Sequence, residues 1–240
     1  MIPQQISLRQ STASRGSWKD IMDYIKEKWD KDYYITDFVY GNGQYCVVMC
    51  YSSDWDGQAI RTGKTFPKEK VDELWNKDYH ITSVAHDGED WIVVMTGGNT
   101  GLNAQSWFTR TKWDDFKSEI QKGWNDGYDI TCVSYGNGTY CGVMSKNLNW
   151  SQSWNFISGE ITNKEMDNMY PDEKIITDLM DANGGLFLVR SGRTPYDDQG
   201  LFKSSSWEPL NKKMTEYWDK GYVITSFCFY RGEWYMLMSK

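Results

Sequence analysis

Two histidines, His80 and His86, and five cysteines, Cys46, Cys50, Cys132, Cys141 and Cys228, are the residues of this 240-residue chain best suited to nucleophilic or acid–base chemistry. Their setting argues against that use. The chain is built of repeats, and each histidine stands where other copies carry an ordinary residue: Tyr34, Asp129 and Val223 for His80, Tyr40 and Tyr135 for His86. Cys46 and Cys141 occupy the same position of two different repeats, which places them too far apart for a disulfide. The cysteines are therefore expected to be reduced, buried small hydrophobes. Asp54-x-Asp56-Gly57 has the beginning of a calcium loop but lacks the later Glu and the other ligands. No catalytic residue, metal site or cofactor is expected. Asn137-Gly138-Thr139 and Asn149-Trp150-Ser151 match the glycosylation pattern, which is too common by chance to argue for secretion.

Binding is better served. Four loops, each just before a glutamine, vary in length and sequence: 52–57, 97–103, 146–150 and 192–198. Three of them set an aromatic beside Asp or Asn. Large side chains next to hydrogen-bonding groups compose a hot spot, and loops on a rigid scaffold are where binding resides. The candidate binding residues are Trp55, Asp56, Leu102, Asn103, Asn149, Trp150, Tyr196 and Asp197. The competing expectation is that the aromatics fold back over their own strands.

The elements that position these loops follow from internal periodicity. Trp29-Asp-Lys-Asp-Tyr-Tyr-Ile-Thr36 recurs from Trp75 to Thr82, from Trp124 to Thr131 and from Trp218 to Thr225, with a degenerate copy from Tyr170 to Thr177. Fourteen residues after each Ile stand Met49, Met95, Met144, Arg190 and Met238. Gln58, Gln105, Gln152 and Gln199 open a further strand-like run every 47 residues, and the fifth copy appears at the N-terminus, from Gln5 to Gln10. The glutamines are expected to hydrogen-bond the backbone of a neighbouring repeat.

Each repeat reads as one short helix and three strands. Apolar residues four apart, such as Phe116, Ile120 and Trp124, give the helix one buried stripe. Asp32, Asp78, Gly127 and Gly221 fit a left-handed cap after it. Gly41-Asn42-Gly43 and Gly136-Asn137-Gly138 are hairpin signals, and Trp91-Ile-Val-Val-Met95 reads as a strand buried on both faces. Three strands cannot cover both faces alone. The expected fold is therefore mainly β with short helices: a closed, five-bladed, propeller-like ring in which each blade has three antiparallel strands plus one helix. One domain spans 1–240, with repeats at about 13–60, 61–107, 108–154, 155–201 and 202–240 plus 1–12. The N-terminal strand is expected to complete the last blade by pairing with Trp234–Met238.

The pattern Trp-x-x-Gly-Tyr-x-Ile-Thr, then Trp-x-Val-Val-Met-Ser, then Gln, is best kept at Trp124–Ser145 and Trp75–Thr96. It resembles the repeat domain at the C-terminus of plant casein-kinase-I-like kinases and of related uncharacterised proteins. No kinase motif is present in this chain. The resemblance implies an accessory module for protein contacts. The fourth repeat departs from the pattern at Tyr170, Pro171 and Arg190. In architecture alone the ring also resembles the penteins, but their guanidine chemistry needs a Cys, a His and acidic residues together.

A net charge of −7 with Lys and Arg evenly spread excludes a phosphate-binding patch, so no nucleic-acid partner is expected. No apolar run reaches the roughly 20 residues that span a bilayer. Residues 1–6 lack the regions of a signal peptide, which points to the cytoplasm or to a mature chain whose leader is not shown. The functional expectation is a non-enzymatic binding or scaffolding module with protein partners. A lectin-like glycan binder with repeated loop sites is the alternative.

Overall fold

In a computed structural model, which describes residues 8–159 and 174–240, the chain forms five three-stranded antiparallel sheets with short helices. Sheet 1 comprises β1 (Gln10–Arg15), β2 (Tyr33–Gly41) and β3 (Gln44–Tyr51), with helix α1 (Trp18–Trp29) between β1 and β2. Sheet 2 has β4 (Trp55–Gly63), α2 (Lys68–Trp75), β5 (His80–His86) and β6 (Trp91–Gly98). Sheet 3 has β7 (Asn103–Arg110), α3 (Trp113–Asn125), β8 (Tyr128–Gly136) and β9 (Thr139–Lys146). Sheet 4 contains β10 (Ser151–Ser158), β11 (Ile175–Asp181) and β12 (Gly185–Gly192). Sheet 5 has β13 (Gln199–Ser204), α4 (Trp207–Trp218), β14 (Val223–Tyr230) and β15 (Glu233–Ser239). In every sheet the last strand lies in the middle and the first lies at one edge. No helix among the described residues is long and apolar enough to cross a membrane.

The expected pairing of the N-terminal strand with the last repeat is corrected by this topology. β1 pairs with β3, Gln10 opposite Cys50 and Arg15 opposite Tyr45, while β15 takes β13 and β14 as its partners. The glutamine strand thus opens each sheet instead of closing the one before it, and the repeat boundaries shift by one strand. A periodic sequence fixes what a unit contains but not where the unit begins. Residues 5–7 and Tyr170-Pro171 lie outside the described residues.

Local signals act as the residue types dictate. Ser17 caps α1 by accepting from the Asp20 N–H at 3.1 Å. Asp32, Asp78, Gly127 and Gly221 all have positive φ just past a helix end. Asn-Gly turns at 42–43, 137–138 and 183–184 combine two positive φ values, the geometry that suits the twist of a tight hairpin. The Ile-Thr signature marks a β-bulge. Pairing skips from Ile35 to Asp37, and likewise past Thr82, Thr131, Thr177 and Thr225. The skipped threonine is buried in every copy. Its hydroxyl is satisfied locally, as in Thr177 with Ser191 at 2.8 Å and Thr36 donating to the Val48 carbonyl at 3.3 Å.

Each middle strand sends alternate side chains to the two neighbouring sheets, so the core is a set of layers between sheets. Val47 and Met49 pack with Ile92 and Val94 of sheet 2; Val93 and Met95 pack with Cys141 and Val143 of sheet 3. Met144 packs with Phe187 and Val189, Leu188 with Tyr235 and Leu237, and Met236 with Cys46 and Val48 of sheet 1. The inner strands neighbour one another in the same order: β2 beside β5, β5 beside β8, β8 beside β11, β11 beside β14, and β14 beside β2.

The glutamines stitch these layers, as their sequence position suggests. Gln58 of sheet 2 accepts from the Ile35 N–H at 2.8 Å and donates to the Ile35 carbonyl at 2.9 Å. Gln105 grips Ile81, Gln152 grips Ile130 and Gln199 grips Ile176 in the same two-point manner. The fifth member is Gln10 and not Gln5: it grips Ile224, 214 residues away. The helix-ending tryptophans join this device. Trp29, Trp124 and Trp218 are half-buried and donate their indole N–H to Gln58, Gln152 and Gln10 at 2.9–3.0 Å. The fully buried helix residues stand earlier in each stripe: Ile21 and Ile25, Phe116 and Ile120, Leu210 and Met214.

Candidate functional site: the cavity between the inner strands

Two residues beyond each Ile, the bulge turns one side chain of every inner strand toward its neighbours: Asp37, Ser83, Cys132, Asp178 and Ser226. Ser83, Cys132, Asp178 and Ser226 are buried and Asp37 is half-buried, and Asp37 meets Ser83 while Asp178 meets Ser226 across sheet boundaries. Asp37 accepts from the Phe38 N–H at 2.9 Å, from Ser83 Oγ at 3.4 Å and from the Phe227 N–H at 2.7 Å. Asp178 accepts from the Leu179 N–H at 3.0 Å, from Ser226 Oγ at 3.0 Å and from the Val133 N–H at 2.8 Å. Two carboxylates thereby tie together elements of all five sheets. Burial, reinforced by the charge of Asp178, pushes the Asp37 carboxyl up to about 7; burial raises Asp178 as well. The donated hydrogen bonds pull the other way and are outweighed.

Above this floor, a cavity of about 80 Å³ is lined by all five inner strands. Its mouth is set by the residues five beyond each Ile: Tyr40, His86, Tyr135, Asp181 and Phe229. Glycine seats hold part of this rim. A methyl group on Gly41 would stand 2.2 Å from Phe229, and one on Gly136 would stand 2.0 Å from His86, so each of these side chains packs directly against the backbone of the next sheet. His86 Nδ1 accepts from the Gly88 N–H at 3.0 Å, which leaves the proton on Nε2. Nε2 is buried without a hydrogen-bond partner among the described residues, and burial lowers the imidazole below its ordinary value. Burial keeps the Cys132 thiol protonated. Among the described residues, no group of three or more His, Cys, Asp or Glu side chains could hold a metal ion. The arrangement offers a shallow, half-buried aromatic rim around a polar floor whose carboxylates are already engaged by backbone N–H groups.

The loops singled out from sequence divide by chemistry. Trp55 is 6% exposed, Leu102 3% and Trp150 9%, so these side chains cover the sheets and do not stand out as anchors. Trp55 stacks edge-on against Tyr34 with ring centres 5.7 Å apart and donates its indole N–H to the Asn99 carbonyl at 3.2 Å. Tyr196 is largely shielded, and burial raises its phenol. Asp56, Asn103, Asn149 and Asp197 remain exposed. Asp56 and Asn103 come together, lining a surface hollow with Tyr79 and His80. The loop aromatics that suggest anchors in the sequence serve the fold as lids. The rim position carries no common residue type in the sequence, Tyr40, His86, Tyr135, Asp181 and Phe229, which is why periodicity does not mark it.

The chain is similar over residues 17–134 to a family described as a domain of unknown function, DUF7477. The match runs from the cap of α1 into β8 and so takes in the hairpin of sheet 1, all of sheet 2 and most of sheet 3. No curated protein matches the chain.

Proposed function

We propose that the chain is a non-enzymatic protein-binding module, a closed five-bladed propeller that docks its partner at the cavity mouth. The observation that carries this reading is the contrast between repeated and unrepeated positions. Ile, Thr, the glutamine and the buried middle strand recur because the sheets need them. The rim position changes from phenol to imidazole to carboxylate to phenyl around one opening: Tyr40, His86, Tyr135, Asp181 and Phe229. Half-buried aromatics beside a carboxylate are how an interface core is composed. The cyclic adjacency of the inner strands and the Gln10–Ile224 grip support closure. The resemblance to the repeat domain of casein-kinase-I-like kinases points to an accessory module as well.

The test is capture of a partner from the native source, identified and then re-bound as purified protein. Tyr40→Ser with Tyr135→Ser is expected to weaken that binding at least tenfold while the melting temperature stays within a few degrees. Lys212→Ala on the outer face of α4 should bind normally. Equal binding by the rim variant would move the site away from the mouth. Binding of a glycan in place of a protein would replace this reading with the lectin one.

A further inference from the structure

We infer that the molecule opens at one place, the seam between sheets 5 and 1. The inference rests on the closed-ring reading above. Four of the five sheet boundaries are crossed by the chain itself, through loops of three to six residues between β3 and β4, β6 and β7, β9 and β10, and β12 and β13. No covalent link crosses the fifth. Closure here also differs from a ring locked by a shared strand, because β1 belongs to sheet 1 and β13 to sheet 5. Among the described residues the seam is held by side chains alone. Gln10 takes the Ile224 N–H at 2.7 Å and the Trp218 indole at 3.0 Å, and donates to the Ile224 carbonyl at 2.9 Å. Asp37 takes the Phe227 N–H, and Cys46 and Val48 pack on Met236.

The clasp also differs chemically from its four counterparts. In those, the glutamine Nε2 donates additionally to a hydroxyl of its own middle strand: Gln58 to Thr96 at 2.8 Å, Gln105 to Ser145 at 3.5 Å, Gln152 to Ser191 at 3.0 Å and Gln199 to Ser239 at 2.8 Å. The equivalent residue beside Gln10 is Cys50, and a thiol is a weaker acceptor than a hydroxyl. The glutamine that must hold two untethered edges therefore has a thiol, and not a hydroxyl, beside it on its own sheet. At the other boundaries a separated pair of sheets can only hinge about a short loop, and the high effective concentration favours reclosing. At the seam the edges part freely.

Five equivalent amides serve as internal gauges: Ile35, Ile81, Ile130, Ile176 and Ile224, each donating to its glutamine Oε1. Hydrogen exchange of the whole chain, followed by NMR, reads the opening of each boundary separately. Ile224 is expected to exchange about tenfold or more faster than the other four, a difference of about 1.4 kcal/mol. The Phe227 amide should follow it, and Cys50→Ser should slow Ile224 selectively. Exchange of all five at one rate would overturn the seam and leave closure intact. An Ile224 amide as fast as an unstructured one, and indifferent to Gln10→Ala, would instead sink the closed ring itself.

Discussion

At the scale of single residues, the two-point glutamine is the most informative side chain in the chain. A carboxamide presents a donor and an acceptor side by side, which matches the N–H and C=O of one residue in an adjacent strand. Gln152 binds both groups of Ile130, the Trp124 indole and Ser191 Oγ. Removing it strands both groups of Ile130 and the Trp124 indole between sheets 3 and 4, while Ser191 keeps its bond to Thr177. Gln152→Ala should cost about 2–4 kcal/mol in urea unfolding, whereas the exposed helix residue Gln121→Ala should change stability by under about 0.5 kcal/mol. This role was legible from sequence because the spacing of the glutamines is so regular. The buried carboxylates were not, since Asp37 and Asp178 share their repeat position with Ser83, Cys132 and Ser226 and show no common type. Their consequence is a pH dependence of unusual sign. The Asp37 carboxyl lies near 7 in the fold against an ordinary value of 3.8, so the folded chain holds the extra proton between those values. The stability this provides is complete below about 4 and is lost as the pH rises through 7, at up to about 1.4 kcal/mol per pH unit. Asp37→Asn should reduce that slope in urea titrations run at successive pH values, leaving the part that Asp178 contributes. An unchanged slope would mean that the carboxyl titrates elsewhere.

At the scale of elements, hairpins and helix ends were legible because their signals are local: an Asn-Gly turn or a left-handed cap needs no neighbour to be recognised. Strand pairing was not legible. The glutamine strand bonds its backbone to the following hairpin and its side chain to the preceding one, and periodicity alone favours neither assignment. The same limit hid the lids. Trp55 and Trp150 look like anchors in a variable loop until Tyr34 and the sheet beneath them are in view. The rim is held by element-to-element packing that no single repeat encodes. His86 of sheet 2 rests on Gly136 of sheet 3, so Gly136→Ala should destabilise by about 1–3 kcal/mol through overpacking. The double change with His86→Ala should recover part of that loss, since the two residues share one contact. Purely additive costs in that cycle would show that the ring does not sit on the glycine.

At the scale of the whole molecule, the five units and their content were legible in steps of 46 to 49 residues, and the correct starting point of each unit was not. The central claim is that these units close on themselves, with Gln10 doing at the chain's beginning what Gln58, Gln105, Gln152 and Gln199 do further on. The most direct test is the through-space NMR spectrum of the side-chain amides. Closure predicts cross-peaks between the Gln10 carboxamide protons and the Ile224 amide, residues 214 apart, comparable in intensity to those of Gln58 with Ile35 and Gln152 with Ile130. If the internal pairs appear and the Gln10–Ile224 pair does not, the five sheets form an open array and the account of the cavity and its mouth is wrong.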